Sequence, residues 1–547
     1  MYRAKKKDNN YSVVRQKMTW KVLIPEKLDD NAINMLSSDA NFEPVILEKT
    51  ASKEELLEAI TSCDALIVRS KTQVTEELID AAGKKLQVIG RAGVGTDNID
   101  VPYAEKKGIL VVNAPEESLD SVADLTIGLM LTLCRKLHIA YERTRQGNFE
   151  RGDLLGCELK GLTLGILGYG RIGQRVAQRA RAFGMRICAY DPYINPKLPE
   201  SEGILLLPLE ELLSTSDIIS LHMPLNENTK HLISTAEFDA MKKGAFFINT
   251  SRAEIVDTEA LIATLESGKL AAVALDVVDE ESPDNPLLKY PNVVLSPHLG
   301  ASTQGAQKNV GLIIVQDIMN VLKGNPARYP VNFPKLSSEA KELYGPFRDL
   351  ISRIATILLP LTSSSFNKIS INYPVNLPSP LPSILTRTFL SILLKSMIAS
   401  TEVNIINAQK IAEERAIQIV ESFMSDKDYQ NKIAVTIELD GSVVNTAQGQ
   451  ITADQKLVIN KINEYEIKAE LSGYLFLVEF ADKPGMIGAI CSFLGQNNIN
   501  IAELQVSRLL EFQTQLMALK TDQEVPHDTV NQLQELDGIK WVHYYSF

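Results

Sequence analysis

The chain has 547 residues, 45% of them hydrophobic and 23% charged, and a formal net charge of −12. That length predicts three or four domains of a soluble globular kind. The acidic balance argues against nonspecific binding to nucleic acid or anionic membrane, and no apolar run reaches the roughly 18 residues of a membrane span.

The first 17 residues are basic and polar and lack the apolar core of a secretory signal, so 1–17 reads as a disordered extension. The fold is expected to begin at Met18. KVLIP (21–25), DALIVRS (64–70) and LQVIGRAG (86–93) read as strands, with EELLEAI (54–60) and TEELIDAAG (75–83) as the helices between them. This alternation implies a parallel sheet. Residues 121–146 read as one long helix leading into the next domain.

LTLGILGYGRIG (162–173) carries Gly168-x-Gly170-x-x-Gly173 at the end of an apolar strand. Gly168 allows the tight turn, Gly170 lets a pyrophosphate approach the backbone, and Gly173 lets the helix pack close to the strand. Arg171 and Ile172 open that helix, whose N–H groups receive phosphates. Ile172, Val176, Ala180 and Phe183 fall at helical spacing on one expected core face. Asp191, eighteen residues past Gly173, ends the strand MRICAYD. A carboxylate there binds ribose hydroxyls and repels a 2′-phosphate, which predicts NAD over NADP.

Further strands are expected in 217–225, 244–252, 270–278 and 292–300. A helical stretch over 301–323 should then return the chain to its first domain. NPARYPVNFPKLSS (325–338) reads as a linker. Beyond it come helices over 340–360 and 380–399, the stretch 403–422, and alternating strands over 432–450 and 455–470. The last unit reads βαββαβ, a ferredoxin-like layout. The fold class is therefore α/β. A Rossmann-type nucleotide domain (118–298) is inserted in a flavodoxin-like substrate domain (18–117 and 299–330). An α+β intervening domain (331–470) and a final domain (471–547) follow. The five cysteines, Cys63, Cys134, Cys157, Cys188 and Cys491, form no CxxC pair. They point to a reducing cytoplasm, and no cluster has metal-ligand spacing.

GRAGVGTDNID (90–100), LGYGRIG (167–173), INTSRAEIVD (248–257), ALDVVDEESP (274–283) and SPHLGAST (296–303) resemble the D-isomer-specific 2-hydroxyacid dehydrogenases. Residues 403–420 resemble the intervening domain of long-form phosphoglycerate dehydrogenases. DKPGMIG with NNINIAELQVSR resembles an ACT domain, a module that binds small amino acids. The resemblance implies NAD-dependent oxidation of 3-phosphoglycerate to 3-phosphohydroxypyruvate, opening L-serine biosynthesis. It also implies a homotetramer and serine as effector. Two other readings stay open: a reductase of glyoxylate, hydroxypyruvate or 2-oxoglutarate, and an NAD-sensing protein-binding module.

Oxidising a 2-hydroxy acid needs a cation for the carboxylate and a base for the hydroxyl proton. Arg252 can hold oxygens in a bidentate fork, and the His298 imidazole titrates near neutrality. Glu281 is expected to hydrogen-bond His298 and raise its pKa. Taken singly, each has a structural reading: a core histidine, a solvated carboxylate, an ordinary ion pair. All three match the family's catalytic positions. By the same resemblance Asp276 binds the nicotinamide carboxamide, and Val94, Met223, Thr250, Ser251, Gly300 and Ala301 line the cofactor. Arg69, Ser70, Gly93 and Gly95 receive the substrate's carboxylate and phosphate, and Arg151 is contributed from a neighbouring subunit. Asp482 and Asn500 match serine-binding positions. The chain departs from the family pattern at Glu117, Ser118, Ala253 and Ser282. Ala253 replaces a glycine, and its methyl is tolerable only at negative φ. Ser118 replaces an asparagine that touches substrate, and Glu117 adds charge that repels an anion.

Overall fold

The computed structural model describes residues 19–47, 52–195, 203–362, 366–398, 403–425, 430–511 and 513–547. The expected extension 1–17 and Met18 lie outside the described residues.

The first sheet holds Trp20–Ile24 (β1), Phe42–Ile46 (β2), Ala65–Val68 (β3), Val88–Arg91 (β4) and Leu110–Asn113 (β5), in the order β2-β1-β3-β4-β5. All neighbours are parallel. Because side chains alternate across a strand, two cores form. Val22, Ile24, Ala65 and Ile67 pack on one face, and Leu23, Leu66 and Val68 on the other. The strands β2 and β5 escape the sequence reading. FEPVI is interrupted by Glu43 and Pro44, whereas LVVN is apolar and as long as β3 and β4.

The second sheet holds Thr163–Leu167 (β6), Arg186–Tyr190 (β7), Leu205–Leu206 (β8), Ile218–Leu221 (β9), Ala245–Asn249 (β10), Leu270–Leu275 (β11) and Val293–Leu295 (β12). Its order is β12-β11-β10-β9-β6-β7-β8, all parallel. Strand order reverses between β6 and β9, and ligands of such sheets bind outside the carboxyl ends at that point. Two helical expectations need correction. The stretch 121–146 is two helices, Leu119–Cys134 and Leu137–Arg145, because Lys136 takes a left-handed φ of 50° between them. Phe183 is not on the core face: the helix ends at Ala182, and Phe183 caps it 43% exposed.

After β12 the helix Gln304–Leu322 crosses back to the first sheet. Its Val310, Ile314, Val315 and Ile318 are buried in one cluster with Val22, Ile24 and Val88. Gly90 permits the approach, since a Cβ there would stand 2.7 Å from Ile314 Cγ2. The proline-rich segment expected as a linker is docked. Val331 N–H donates to Val111 O at 2.8 Å, and Asn332 Oδ1 accepts from Val111 N–H at 2.8 Å.

The third sheet holds Lys368–Pro374 (β13), Gln418–Met424 (β14), Lys432–Leu439 (β15), Ser442–Ile451 (β16), Leu457–Ile462 (β17) and Tyr465–Glu470 (β18). The sequence reading omits β13 and β14, although β13 pairs with both β14 and β15. Helices Ser338–Leu361 and Leu381–Met397 cover this sheet. The fourth sheet holds Tyr474–Ala481 (β19), Ile501–Leu509 (β20), Thr514–Thr521 (β21) and Ile539–Ser546 (β22), ordered β20-β21-β19-β22 and antiparallel. On one face of it Leu475, Leu477, Leu516 and Tyr545 share a buried core with Ile354 and Leu358 of helix Ser338–Leu361. The helices Met486–Gln496 and His527–Gln534 cover its other face.

Ile314→Ala empties a fully buried position between helix and sheet. It should cost about 2–5 kcal/mol, read as a lowered thermal transition of the full chain. His222, just past β9, is half-buried as a residue, but its Nδ1 is shielded from solvent and unpartnered. Its Nε2 lies 2.9 Å from Ser220 Oγ. Desolvation pushes its pKa down to about 3. The unfolded chain takes up this proton near pH 6.5 and the native chain does not, so stability present above that pH is lost as pH falls toward the folded value. His222→Gln should flatten this part of the stability–pH curve, measured by urea unfolding between pH 7 and 4.

Candidate active site

The glycine turn is built as its spacing predicts. Gly168 has φ 93°, and a Cβ on it would stand 2.7 Å from His222 O. A Cβ on Gly173 would stand 2.2 Å from Gly168 O, so no larger residue lets helix Arg171–Ala182 lie this close to β6. A Cβ on Gly170 would meet nothing within 4 Å, which leaves open space at the helix start. Asp191 follows β7, and its carboxylate accepts from Tyr169 N–H and Tyr193 N–H, both at 3.0 Å. Open backbone, a helix N-terminus and a carboxylate at the next strand end fit a dinucleotide.

Arg252, Asp276 and His298 follow the carboxyl ends of β10, β11 and β12, three adjacent parallel strands. Asn249 braces the first loop: Nδ2 donates to Arg252 O at 2.8 Å, and Oδ1 accepts from Ser251 N–H at 2.9 Å. Ser251 Oγ donates to Met223 O at 3.0 Å, and Thr250 Oγ1 lies 3.1 Å from Thr126 Oγ1. Ala253 opens a short 3-10 turn outside the left-handed region, so its methyl is tolerated. Asp276 is buried and shapes the loop of His298. Its carboxylate accepts from Ser296 Oγ at 2.6 Å and from the N–H groups of Leu299 and Gly300, each at 2.8 Å. His298 itself has φ 52°, with Ala301 just beyond. The expected Glu281–His298 hydrogen bond is absent. Both residues are exposed, and neither side chain has a hydrogen-bond partner among the described residues.

Across the cleft, the loop after β4 receives Arg252. Its Nε donates to Asp97 Oδ2 at 3.0 Å, and its NH2 stands 2.9 Å from the same oxygen. Gly95 makes room, since a Cβ there would lie 1.8 Å from Arg252 NH2. Gly93 does the same for Arg91, at 1.3 Å from NH1. Val94 O accepts from Asn113 Nδ2 at 2.6 Å. Arg91 is absent from the sequence reading. Its Nε is buried without a partner, and burial, then the nearby Arg252 and Arg69, bring its pKa down to about 10. A guanidinium at a strand end before Gly-x-Gly was the available signal. Arg69 N–H donates to Glu26 Oε1 at 2.9 Å, and its NH1 to Lys27 O at 3.2 Å, while Ser70 beside it is exposed.

Other expected residues stand elsewhere. Arg151 is exposed and has no side-chain partner among the described residues. Ser118 Oγ is buried and unpartnered. Glu116, beside Glu117, accepts from Tyr329 Oη at 2.7 Å and lies 3.4 Å from Arg171 NH1. Asp482 is held by Arg508 and by Gln515 Nε2, the latter at 2.5 Å, and Asn500 donates to Asp522. Asp482 N–H bonds Gln513 O, and Asp522 N–H bonds Asn500 O, so the two lie at opposite ends of β21. At about 3.3 Å per residue this separates them by on the order of 25 Å. One chain does not bring them to a common ligand.

Three family descriptions match in chain order. Residues 127–300 match the D-isomer specific 2-hydroxyacid dehydrogenase NAD binding domain. Residues 344–463 match the D-3-phosphoglycerate dehydrogenase intervening domain, and 474–538 the ACT domain. A D-3-phosphoglycerate dehydrogenase of Methanocaldococcus jannaschii is 41% identical over 522 residues, covering 95% of this chain and 98% of the relative. The crystal structure of D-lactate dehydrogenase from Aquifex aeolicus, complexed with NAD and lactic acid, aligns with a TM-score of 0.50 at 31% identity. That alignment covers 56% of this chain and 96% of the other. The chain belongs to the D-3-phosphoglycerate dehydrogenase family.

Proposed function

We propose that the chain oxidises D-3-phosphoglycerate to 3-phosphohydroxypyruvate with NAD, the first step of L-serine biosynthesis. The observation that carries this reading is the group of Arg69, Arg91 and Arg252 at one cleft beside the nucleotide turn. A substrate with both a carboxylate and a phosphate compensates that charge; a glyoxylate or lactate, with one anionic group, does so only in part.

Gly168, Gly170, Gly173 and the start of helix Arg171–Ala182 hold the dinucleotide, with Asp191 on the ribose and Met223, Thr250, Ser251, Gly300 and Ala301 near the ring. NAD, when bound, supplies the acceptor for the C2 hydride. Arg252 exchanges Asp97 for the substrate carboxylate, and Arg69 and Arg91 face the phosphate. His298 takes the hydroxyl proton, from a loop that Asp276 holds in place. Glu281 meets His298 when the cleft closes on both ligands. Arg151 reaches the site of a neighbouring copy in a homotetramer. L-serine is the proposed effector, bound between Asp482 of one copy and Asn500 of another.

The test is NADH oxidation driven by 3-phosphohydroxypyruvate, with and without L-serine. Rapid turnover is expected, reduced by serine; turnover only with glyoxylate or 2-oxoglutarate would refute the substrate. His298→Ala should lower kcat by about 100-fold or more with NAD affinity retained. Asp191→Ala should weaken NAD and narrow its preference over NADP; an unchanged ratio would remove Asp191 from the ribose.

A further inference from the structure

The chain carries a large cavity away from the nucleotide turn, at the junction of the first sheet's layer with the third. Its volume is about 790 Å³, and Leu110, Phe333, Ile384 and Ile411 supply apolar wall. That is the size of a pocket for a small organic molecule. Lys106, Lys107 and Lys410 also line it, with Asp80 and Glu414. Asp80 pairs with Lys107 at 2.6 Å. Lys410 Nζ donates instead to a backbone carbonyl, Pro102 O, at 3.3 Å. Among the described residues neither Lys106 nor Lys410 forms an ion pair with a carboxylate. An apolar wall rimmed by ammonium groups that no carboxylate holds in a close ion pair selects an organic anion with an apolar body.

The cavity is joined to the cleft by one short helix, Val101–Lys106. Its N-cap is Asp100, whose carboxylate accepts from Tyr103 N–H at 3.0 Å. The loop just before it carries Gly95 and Asp97, the two residues against Arg252. Its other end is gripped from the third sheet's layer. Asn404 Nδ2 donates to Gly108 O at 2.7 Å and Asn407 Nδ2 to Lys106 O at 3.4 Å. A Cβ on Gly108 would stand 2.4 Å from Asn404 Nδ2, so this contact is close.

We infer that this cavity binds a small organic anion with an apolar body, and that helix Val101–Lys106 carries its occupancy to the loop facing Arg252. The coupling rests on the reading of that loop as substrate-binding; the binding does not.

The probe is 8-anilinonaphthalene-1-sulfonate, an aromatic anion, titrated by its fluorescence into the full chain at saturating NAD. One saturable site per chain is expected. Lys106→Glu and Lys410→Glu, on the cavity rim, should each weaken it by about tenfold. Ile405→Trp should fill the cavity and abolish the signal. The two charge reversals keep the test decisive if the tryptophan variant fails to fold. Equal emission from the wild type and both charge reversals would overturn the site. With the probe at about ten times its wild-type Kd, KM for 3-phosphohydroxypyruvate should shift by about twofold or more in the wild type and by less in Lys410→Glu. An unchanged KM would overturn the coupling. Fluorescence reads the cavity without turnover, so failure of the catalytic reading is distinguishable from failure of this one.

Discussion

Burying the Arg91 guanidinium beside two others, Arg252 and Arg69, is the constraint that loops from both parallel sheets meet at one cleft. Arg91 is held beside Arg252 and Arg69, with its Nε shielded from solvent and without an acceptor. Asp97 offsets part of the charge by taking Arg252 from across the cleft. The remaining charge favours an anionic ligand in the low-dielectric gap, because a pair of charges interacts more strongly there than in water. Gly93 and Gly95 are the steric condition for this arrangement, since each lies where a side chain would collide with a guanidinium.

The scaffold answers with rigid supports. Parallel strands put β10, β11 and β12 side by side with their carboxyl ends at one edge. Asn249 and Asp276, both buried, commit their hydrogen bonds to the loops that follow. The loop of His298 is therefore fixed by a carboxylate at the end of the strand next to it, while the histidine stays exposed. Glu26 plays a similar part opposite, accepting from the N–H groups of Arg69 and Thr72 at 2.9 and 3.0 Å.

The accessory half is tied to this scaffold by polar contacts and by Ile406, which is buried in the first layer's own core, and within itself by a common core. Asn404, Asn407 and Lys410 bond carbonyls at or near one short helix of the first layer. The third and fourth sheets share buried residues from Leu350 through Tyr545. A movement of the fourth sheet thus reaches the third through packed side chains, and the first layer through Ile406 and a few hydrogen bonds.

The sequence alone determined much of this. Gly168, Gly170 and Gly173 before an amphipathic helix, with Asp191 after the next strand, fix a nucleotide turn through local sterics. The alternation of apolar strands and helices gives two parallel layers, and βαββαβ gives the last sheet. Local patterns were weaker where a strand is broken, as at β2, or only two residues long, as at β8, or where one left-handed residue, Lys136, divides a helix. Tertiary structure alone decided the rest, because contacts between distant segments leave no periodic trace. It brought Arg91 to Arg252 and placed Asp276 under the loop of His298. It left Glu281 unbonded to His298, and set Asp482 and Asn500 at opposite ends of one strand. Burial, register and desolvation act only once the chain is folded, so they decide which charges meet.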